Sequence, residues 1–461
     1  MIELVARAAA AHPERVAVLT HTCSLTYASL LSRARSVAAA LRSAGVERFA
    51  VVDVEAEVVL PLLAGASLAG AEACVYPPSE AAEIGALAER FEHNVLVSDR
   101  VDLAGLAASD AVEVVPTGAW LTGSLESDDS GDALPSSRPH LVLTTGTTGL
   151  PRGVRHDWSR LVRGVERVQQ VQDTDDDQRW LLAYGLHQFA GLQIVQHVAA
   201  AATTLVAPAP RRPIEGLEAM RALGVTHASA TPTYWRFLLA QLRSDGGSVP
   251  ALRQVTLGGE AVPEPLLGQL RDTFPEARIS QIYAASEFGS SGSMRDTRAG
   301  LSVDVLERGE DAPVDMRIVD GELWVRSATG MLGYHGEPPV DPDAWRPTGD
   351  LVEVVGDRVE FRGRSSEIIN VGGVKVHPLP VEERVGAVPG VDVARVWGRP
   401  NRLTGSIVAL EVVAAPGADH EQLRAAIKEA CADLPAAARP RSIAFVDQIA
   451  TLGSKILRRE P

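Results

Sequence analysis

The sequence predicts an α/β protein of two or more domains, and three observations carry that reading. The chain is 461 residues long, more than one hydrophobic core usually holds at roughly 100–200 residues per domain. Its composition, 46% apolar and 22% charged, is that of a folded globular protein. Along the chain, helical periodicity repeatedly gives way to short apolar runs, the pattern of helices packed on largely buried strands.

From Thr26, the apolar positions Leu30, Leu31, Ala34, Val37, Ala38 and Leu41 recur at helical spacing, with Thr26 as N-cap and Gly45 as stop. Residues 49–54 then read as a strand. Residues 58–75 are the most apolar segment, yet Pro61, Gly65 and Gly70 interrupt it and Glu72 lies inside it, which argues against a membrane span. The helix-then-strand alternation repeats around 84–97 and 217–230. Residues 127–139, rich in Ser, Asp, Gly and Pro, read as a surface loop leading into the apolar run 141–143. The acidic run 173–177 reads as a solvated turn, because nothing nearby completes an oxygen cage for a metal.

Charge and cysteine usage exclude several classes. A net charge of −15 with no basic stripe disfavours nucleic acid, whose binding needs clustered Lys and Arg. Cys23, Cys74 and Cys431 are too scattered for a zinc set and odd in number for a disulfide framework, which suits a reducing compartment. The first ten residues carry Glu3 and lack a basic flank before a long apolar core, so they do not read as a secretory signal. The expected location is the cytoplasm, with no membrane partner.

The segment after 141–143 is the most informative in the chain. It reads Thr144-Thr145-Gly146-Thr147-Thr148-Gly149-Leu150-Pro151-Arg152-Gly153. Glycines permit tight turns there, and hydroxyls with backbone N–H groups can surround phosphate oxygens. The GxxxxGK[ST] pattern of P-loop NTPases is absent. The string resembles the signature loop of the adenylate-forming superfamily, which includes acyl-CoA synthetases, luciferases and the adenylation domains of nonribosomal peptide synthetases. That family usually ends the loop Pro-Lys-Gly; here Arg152 keeps the charge with a different geometry.

The family's other strings follow in order. Leu257-Gly258-Gly259-Glu260-Ala261 resembles the segment whose backbone lies along adenine. Tyr283-Ala284-Ala285-Ser286-Glu287 resembles the string in which the tyrosine stacks on adenine, the hydroxyl meets the α-phosphate and the glutamate holds magnesium. Such parts suit an α-phosphate attacked by a carboxylate, where charge must be neutralised as pyrophosphate leaves. Trp345-Arg346-Pro347-Thr348-Gly349-Asp350 resembles the string whose aspartate accepts from both ribose hydroxyls, a task suited to an acceptor-only carboxylate. Gly363-Arg364-Ser365-Ser366-Glu367-Ile368-Ile369 resembles the hinge motif, with Arg364 at the nucleotide and Ser366 at the pivot, where many relatives have Lys or Asp. Gly453-Ser454-Lys455-Ile456-Leu457-Arg458 resembles the terminal motif whose lysine serves adenylation, with Ser454 inserted before Lys455.

The resemblance implies a large N-terminal α/β domain over 1–362, a hinge at 363–366 and a small mobile α+β lid over 367–461. It also implies ATP and magnesium as cofactors and Lys455, Glu287, Ser286 and Arg152 as the catalytic set. Amino-acid-activating relatives place an Asp early in the segment corresponding to 182–191, but Ala183 through Gly191 contains no acid. A buried substrate ammonium would lack its counter-charge, so a free α-amino acid is disfavoured. His187 reads either as a gate or as a wall of the acid pocket. Phe189, Ala190, Gly191, Tyr234, Trp235, Ala284 and Ala285 suggest a roomy apolar pocket for an aryl, medium-chain or bulky polycyclic acid. The expected acceptor is coenzyme A, the alternative a separate acyl carrier protein. A third reading, a nucleotide-binding pseudoenzyme, is motivated by Arg152, Ser366 and Ser454.

Overall fold

The computed structural model describes residues 1–107, 112–122, 134–144, 151–169, 177–207, 212–295, 298–308, 312, 314–452 and 455–458, leaving aside the side chains of 107, 167–169, 292–293, 452 and 455. The expected acidic turn at 173–177, apart from Asp177, and most of the loop at 127–139 fall outside these residues. The chain forms two compact units, each gathered from three segments: 1–229, 284–290 and 327–344 in the first, and 230–283, 291–326 and 345–461 in the second.

The first unit carries the predicted helices and strands. The helix Tyr27–Ala44 starts where Thr26 Oγ1 accepts the Ser29 N–H and stops at a left-handed Gly45. The apolar segment becomes the helix Ala56–Ala69, buried on nearly every side, followed by the strand Glu72–Val75. Among the described residues no helix is long and apolar enough to cross a membrane. The strand expected at 49–54 spans Arg48–Val51, and the later alternations give the helix Ala81–Phe91 with the strand Val95–Val97 and the helix Pro213–Ala222 with the strand His227–Ala230.

One sheet of this unit has the order Gly333–Tyr334, Arg152–Asp157, Pro139–Thr144, Glu72–Val75, Arg48–Val51, Val95–Val97 and Glu113–Val115. Its last five strands run parallel, and the strand Arg152–Asp157 turns back antiparallel on Pro139–Thr144. That reversal sets the ends of the signature loop, Thr144 and Arg152, opposite each other as register partners. A second group of strands pairs His227–Ala230, Arg179–Leu182, Thr204–Val206 and Val16–Leu19 in parallel.

In the second unit, Gln254–Gly258 runs parallel to Arg278–Ala285. An antiparallel sheet pairs Arg346–Val355 with Arg358–Arg364, and the C-terminal sheet is built around the hairpin Val391–Asn401 and Gly405–Ala414. The helices Pro378–Gly386 and His420–Ala430 cover that last sheet through Val381, Val385, Leu423 and Ile427, which share one core with Val396 and Leu410. Sheets flanked by helices in both units give the expected α/β class with an α+β C-terminal part.

Candidate functional site

In the first unit, the signature loop leaves and re-enters the sheet at Thr144 and Arg152; Thr145, Gly146, Thr147, Thr148 and Gly149 lie outside the described residues. The strand Gly333–Tyr334 pairs antiparallel with Val154 and Arg155, and the His335 N–H donates to the Gly153 carbonyl at 2.7 Å. This pairing brings a distant segment against the loop's end. The Arg152 guanidinium lies 3.3 Å from the centre of the Tyr334 ring and forms an ion pair with Glu337 at 2.8 Å. Tyr334 OH in turn donates to Glu287 Oε1 at 3.2 Å, and the Met331 N–H donates to the Glu287 carbonyl at 3.0 Å. Burial, with Glu287 adding, pushes the Tyr334 hydroxyl up to about 12, so it stays a donor.

Ser286 joins this group through its backbone, which hydrogen-bonds the ring of His156. His156 is fully buried, its pKa lowered to about 4 by desolvation, and its ring stacks on Phe189 with centroids 5.2 Å apart. Thus Arg152, Ser286, Glu287 and Phe189 are drawn together around three residues the sequence reading passed over: Tyr334, Glu337 and His156. The turn-forming surroundings of Tyr334, Gly333 before it and Pro338-Pro339 after, were the available signal.

The segment 183–191 is folded on itself. The Gly185 N–H donates to Gln188 Oε1 at 3.0 Å, and the Gln188 N–H donates back to the Gly185 carbonyl at 2.9 Å. A Cβ at Gly185 would stand 2.3 Å from the His187 ring, and one at Gly191 would stand 2.4 Å from the Gly185 carbonyl oxygen. The space left at Gly191 is therefore taken by main chain, which corrects the expectation that this glycine makes room for substrate. Ala284 and Ala285, at the end of the strand Arg278–Ala285, are half-buried.

In the second unit, three motifs meet on one carboxylate. Tyr283 OH donates to Asp350 Oδ2 at 2.7 Å, and Arg364 Nε donates to Asp350 Oδ1 at 3.0 Å. The last contact follows from register, since Asp350 and Arg364 are partners across adjacent strands. Tyr283 also lies against Phe361, centroids 5.3 Å apart. Burial first, and Asp350 beside it, hold the Tyr283 hydroxyl protonated well above its ordinary range. Asp350 is fixed further by its own N–H donating to Thr348 Oγ1 at 3.1 Å.

Gly259, at φ +84°, turns the chain out of the strand Gln254–Gly258. The next residue, Glu260, accepts the Thr233 N–H at 3.0 Å and its hydroxyl at 2.7 Å, so its side chain serves the start of the helix Pro232–Asp245. Its other oxygen accepts the Ile456 N–H at 3.0 Å. Glu260 is thus bound to the terminal segment next to Lys455, and Ala261 after it is half-buried. Lys455 sits in a short hairpin, paired with Leu452. Tyr234 is buried in the first turn of its helix, and Trp235 is wholly enclosed, donating to the Thr256 carbonyl at 3.0 Å. Trp235 is thereby a core residue of this unit rather than a pocket wall. Ser366 is exposed in the single turn Ser365–Glu367.

Magnesium fits the donor set at Glu287. Among the described residues no three acidic, histidine or cysteine side chains cluster as a protein-only cage. Magnesium typically takes one or two carboxylates and fills its remaining positions with phosphate oxygens and water, a demand that a single glutamate such as Glu287 meets.

The family model described as AMP-binding enzyme matches residues 5–335, and that of the AMP-binding enzyme C-terminal domain matches 380–454. A feruloyl-CoA synthase of an Amycolatopsis species is 28% identical, covering 98% of this chain and 96% of the relative. A medium/long-chain-fatty-acid–[acyl-carrier-protein] ligase of Mycobacterium tuberculosis is also 28% identical, covering 96% of this chain and 84% of the relative. A naringenin synthase of Pestalotiopsis fici is 26% identical over 87% of this chain, which spans only 16% of that protein. Among solved structures, an anthranilate CoA ligase in complex with anthranoyl-AMP superposes with a TM-score of 0.85 at 19% identity, covering 99% of this chain and 95% of that one; at that identity the likeness bears on fold.

Proposed function

We propose, starting from the fact that this chain belongs to the AMP-binding enzyme family, that it activates a carboxylic acid with ATP and passes the acyl group to the thiol of coenzyme A. In the first half-reaction a carboxylate oxygen attacks the α-phosphorus, the bond from that phosphorus to the bridging oxygen breaks, and pyrophosphate leaves with the electron pair. In the second, the thiol sulfur attacks the acyl carbon, the bond to the phosphate oxygen breaks, AMP leaves, and the thiol proton passes to water.

The observation that carries this reading is the convergence of Tyr283, Asp350 and Arg364. These residues come from three separate strings, yet they meet on one carboxylate. Each Asp350 oxygen accepts one bond internally and retains a second acceptor site, so the carboxylate can still take the two hydroxyls of a ribose. The Tyr283 ring supplies a flat face for adenine, and the backbone at Gly259, Glu260 and Ala261 its edge. Arg152 meets the departing pyrophosphate, with Thr144 and the loop residues to 149 around the phosphates. Ser286 faces the α-phosphate. Magnesium, when held by Glu287, neutralises charge on the phosphates. Lys455 orients the attacking carboxylate as a mobile point charge.

The acid is apolar and lacks an α-ammonium; Phe189, Ala284 and Ala285, with His187 beside them, are its candidate pocket residues in the first unit, and Tyr234 is that of the second. Residues 367–461 act as a lid that turns about Ser366 between the half-reactions. A separate acyl carrier protein is the alternative acceptor, supported by the similarity to a ligase named for that acceptor. Acid-dependent ATP–pyrophosphate exchange over a panel of aryl, fatty and polycyclic acids, followed by thioester detection with coenzyme A, tests the proposal. ATP binding with no exchange on any acid would make the chain a nucleotide-binding protein instead.

A further inference from the structure

The residues that follow Lys455 are anchored at two points within the second unit. At the first, the Ile456 N–H donates to Glu260, and the Ile456 side chain is buried with Val393 and Ile449. At the second, Arg458 grips the Glu382 carboxylate with two arms, Nη2 to Oε2 at 2.7 Å and Nε to Oε1 at 2.9 Å. Glu382, only 4% exposed, lies in the helix Pro378–Gly386 and also accepts the Val396 N–H at 2.9 Å. The third guanidinium nitrogen of Arg458 reaches Glu367 Oε2 at 3.4 Å. Glu367 closes the turn Ser365–Glu367, one residue after the proposed pivot.

One side chain therefore joins the segment bearing Lys455 to the hinge turn and to the helix behind it. Arg458 is 16% exposed and Glu367 21%, so neither contact is a surface pair dissolved by water. A guanidinium suits this place because its planar fork meets one carboxylate with two bonds and still has a donor for a second, which an ammonium cannot do in fixed geometry.

We propose that Arg458 is a positioning residue for adenylation: it fixes the backbone that carries Lys455 and couples that segment to the hinge, so that the terminal segment and the hinge turn are held and released together. This rests on the reading of Lys455 as the adenylating lysine.

The test uses the full chain, the acid found by the exchange panel, and two readouts. One is acid-dependent pyrophosphate exchange. The other is thioester formation from a chemically supplied acyl-adenylate and pantetheine, the thiol arm common to coenzyme A and carrier proteins. Arg458→Met should lower exchange about a hundredfold while the thioester rate stays within about threefold, since loss of a positioning contact can cost on that order. Arg458→Lys should recover only part of the exchange. Glu367→Gln, which leaves the Glu382 grip intact, should lower exchange about fivefold and leave or raise the thioester rate, a ratio that a merely structural role would not move. Equal change of both half-reactions in Arg458→Met and in Glu367→Gln overturns the proposal. Lys455→Ala separates the two levels. If it abolishes exchange alone while the Arg458 and Glu367 variants keep the normal ratio, only the coupling fails; if Lys455→Ala keeps full exchange, the adenylating role and the coupling fall together.

Discussion

Two clusters of charge, one in each unit, are built from the same residue types and differ in how far their carboxylates reach solvent. Around Asp350, a tyrosine and an arginine converge on a carboxylate held between adjacent strands and only 14% exposed, although Arg364 itself is 51% exposed. Around Arg152, an arginine, a tyrosine and two glutamates also converge, but Arg152 is 43% and Glu337 53% exposed. An exposed ion pair contributes about 0–1 kcal/mol, so Glu337 can give up Arg152 to a phosphate at little cost. A largely enclosed carboxylate with charged and neutral donors is fixed before a ligand arrives, and removing it strands its partners. Under the proposed function, the first cluster is the one preorganised for the part of a nucleotide that does not change, and the second the one left free to follow charge that moves.

The largest effect is expected where charge moves. Glu287→Gln should keep ATP binding and lower acid-dependent exchange about a thousandfold, because a neutral amide is a poor magnesium ligand while pyrophosphate departs. Exchange kinetics with increasing magnesium check this. Near-normal turnover at saturating magnesium would remove Glu287 from the site and leave the exposed cluster without a chemical task.

Next comes the preorganised side. Asp350→Asn should raise the ATP concentration needed for half-maximal exchange about a hundredfold, since charged hydrogen bonds contribute about 1.5–3 kcal/mol each and the amide cannot accept at both positions. Arg364 would lose its partner too, so a lower melting temperature should accompany the kinetic loss. An unchanged ATP requirement would mean that the convergence on Asp350 is structural only.

Smaller still, and opposite in sign within one ion pair, are the effects at the exposed cluster. Arg152→Ala should raise the ATP requirement about tenfold, whereas Glu337→Gln should leave it unchanged or lower it, because the guanidinium then has no carboxylate to leave. If Glu337→Gln weakens ATP as much as Arg152→Ala, the pair works as a fixed unit and the contrast between the clusters collapses.

Sequence legibility follows the range of the interactions. The helix after Thr26 was legible because its cap and its left-handed stop are local chemistry. Tyr283, Asp350 and Arg364 were legible as strings, though their meeting point is set by strand register that no string displays. Tyr334 and Glu337 were missed because they reach Arg152 only through pairing of strands about 180 residues apart in the chain. The pocket was misread at Gly191 and Trp235 for a related reason. A small residue and a large aromatic look the same in sequence whether they shape a cavity or fill a core, and here the Gly185 carbonyl and the Thr256 carbonyl claim them. Glu260 was legible only as backbone of an expected adenine-lining segment; that its carboxylate is committed to a helix start and to the terminal strand was not.

The smallest expected effect sharpens the comparison within a single helix. Glu382 and Glu383 are neighbours in Pro378–Gly386, but only Glu382 is gripped by Arg458. Burial raises the Glu383 carboxyl from 4.5 to about 7; Arg362 opposes the rise, and Glu360 and Glu382 add to it. The folded state then holds this proton more tightly than the unfolded chain does. Between pH 4.5 and about 7 the folded state therefore binds more protons, and the contribution of Glu383 to stability falls as pH rises across that window, then levels off. Glu383→Gln cannot ionise and lacks this loss. Its melting temperature relative to the parent should thus be a few degrees higher at pH 8 than at pH 5, whatever its offset at pH 5. Thermal unfolding at the two pH values measures this directly. A relative melting temperature that is independent of pH would show that Glu383 ionises as freely as an exposed glutamate, and that an ungripped carboxylate in this helix carries no burial penalty.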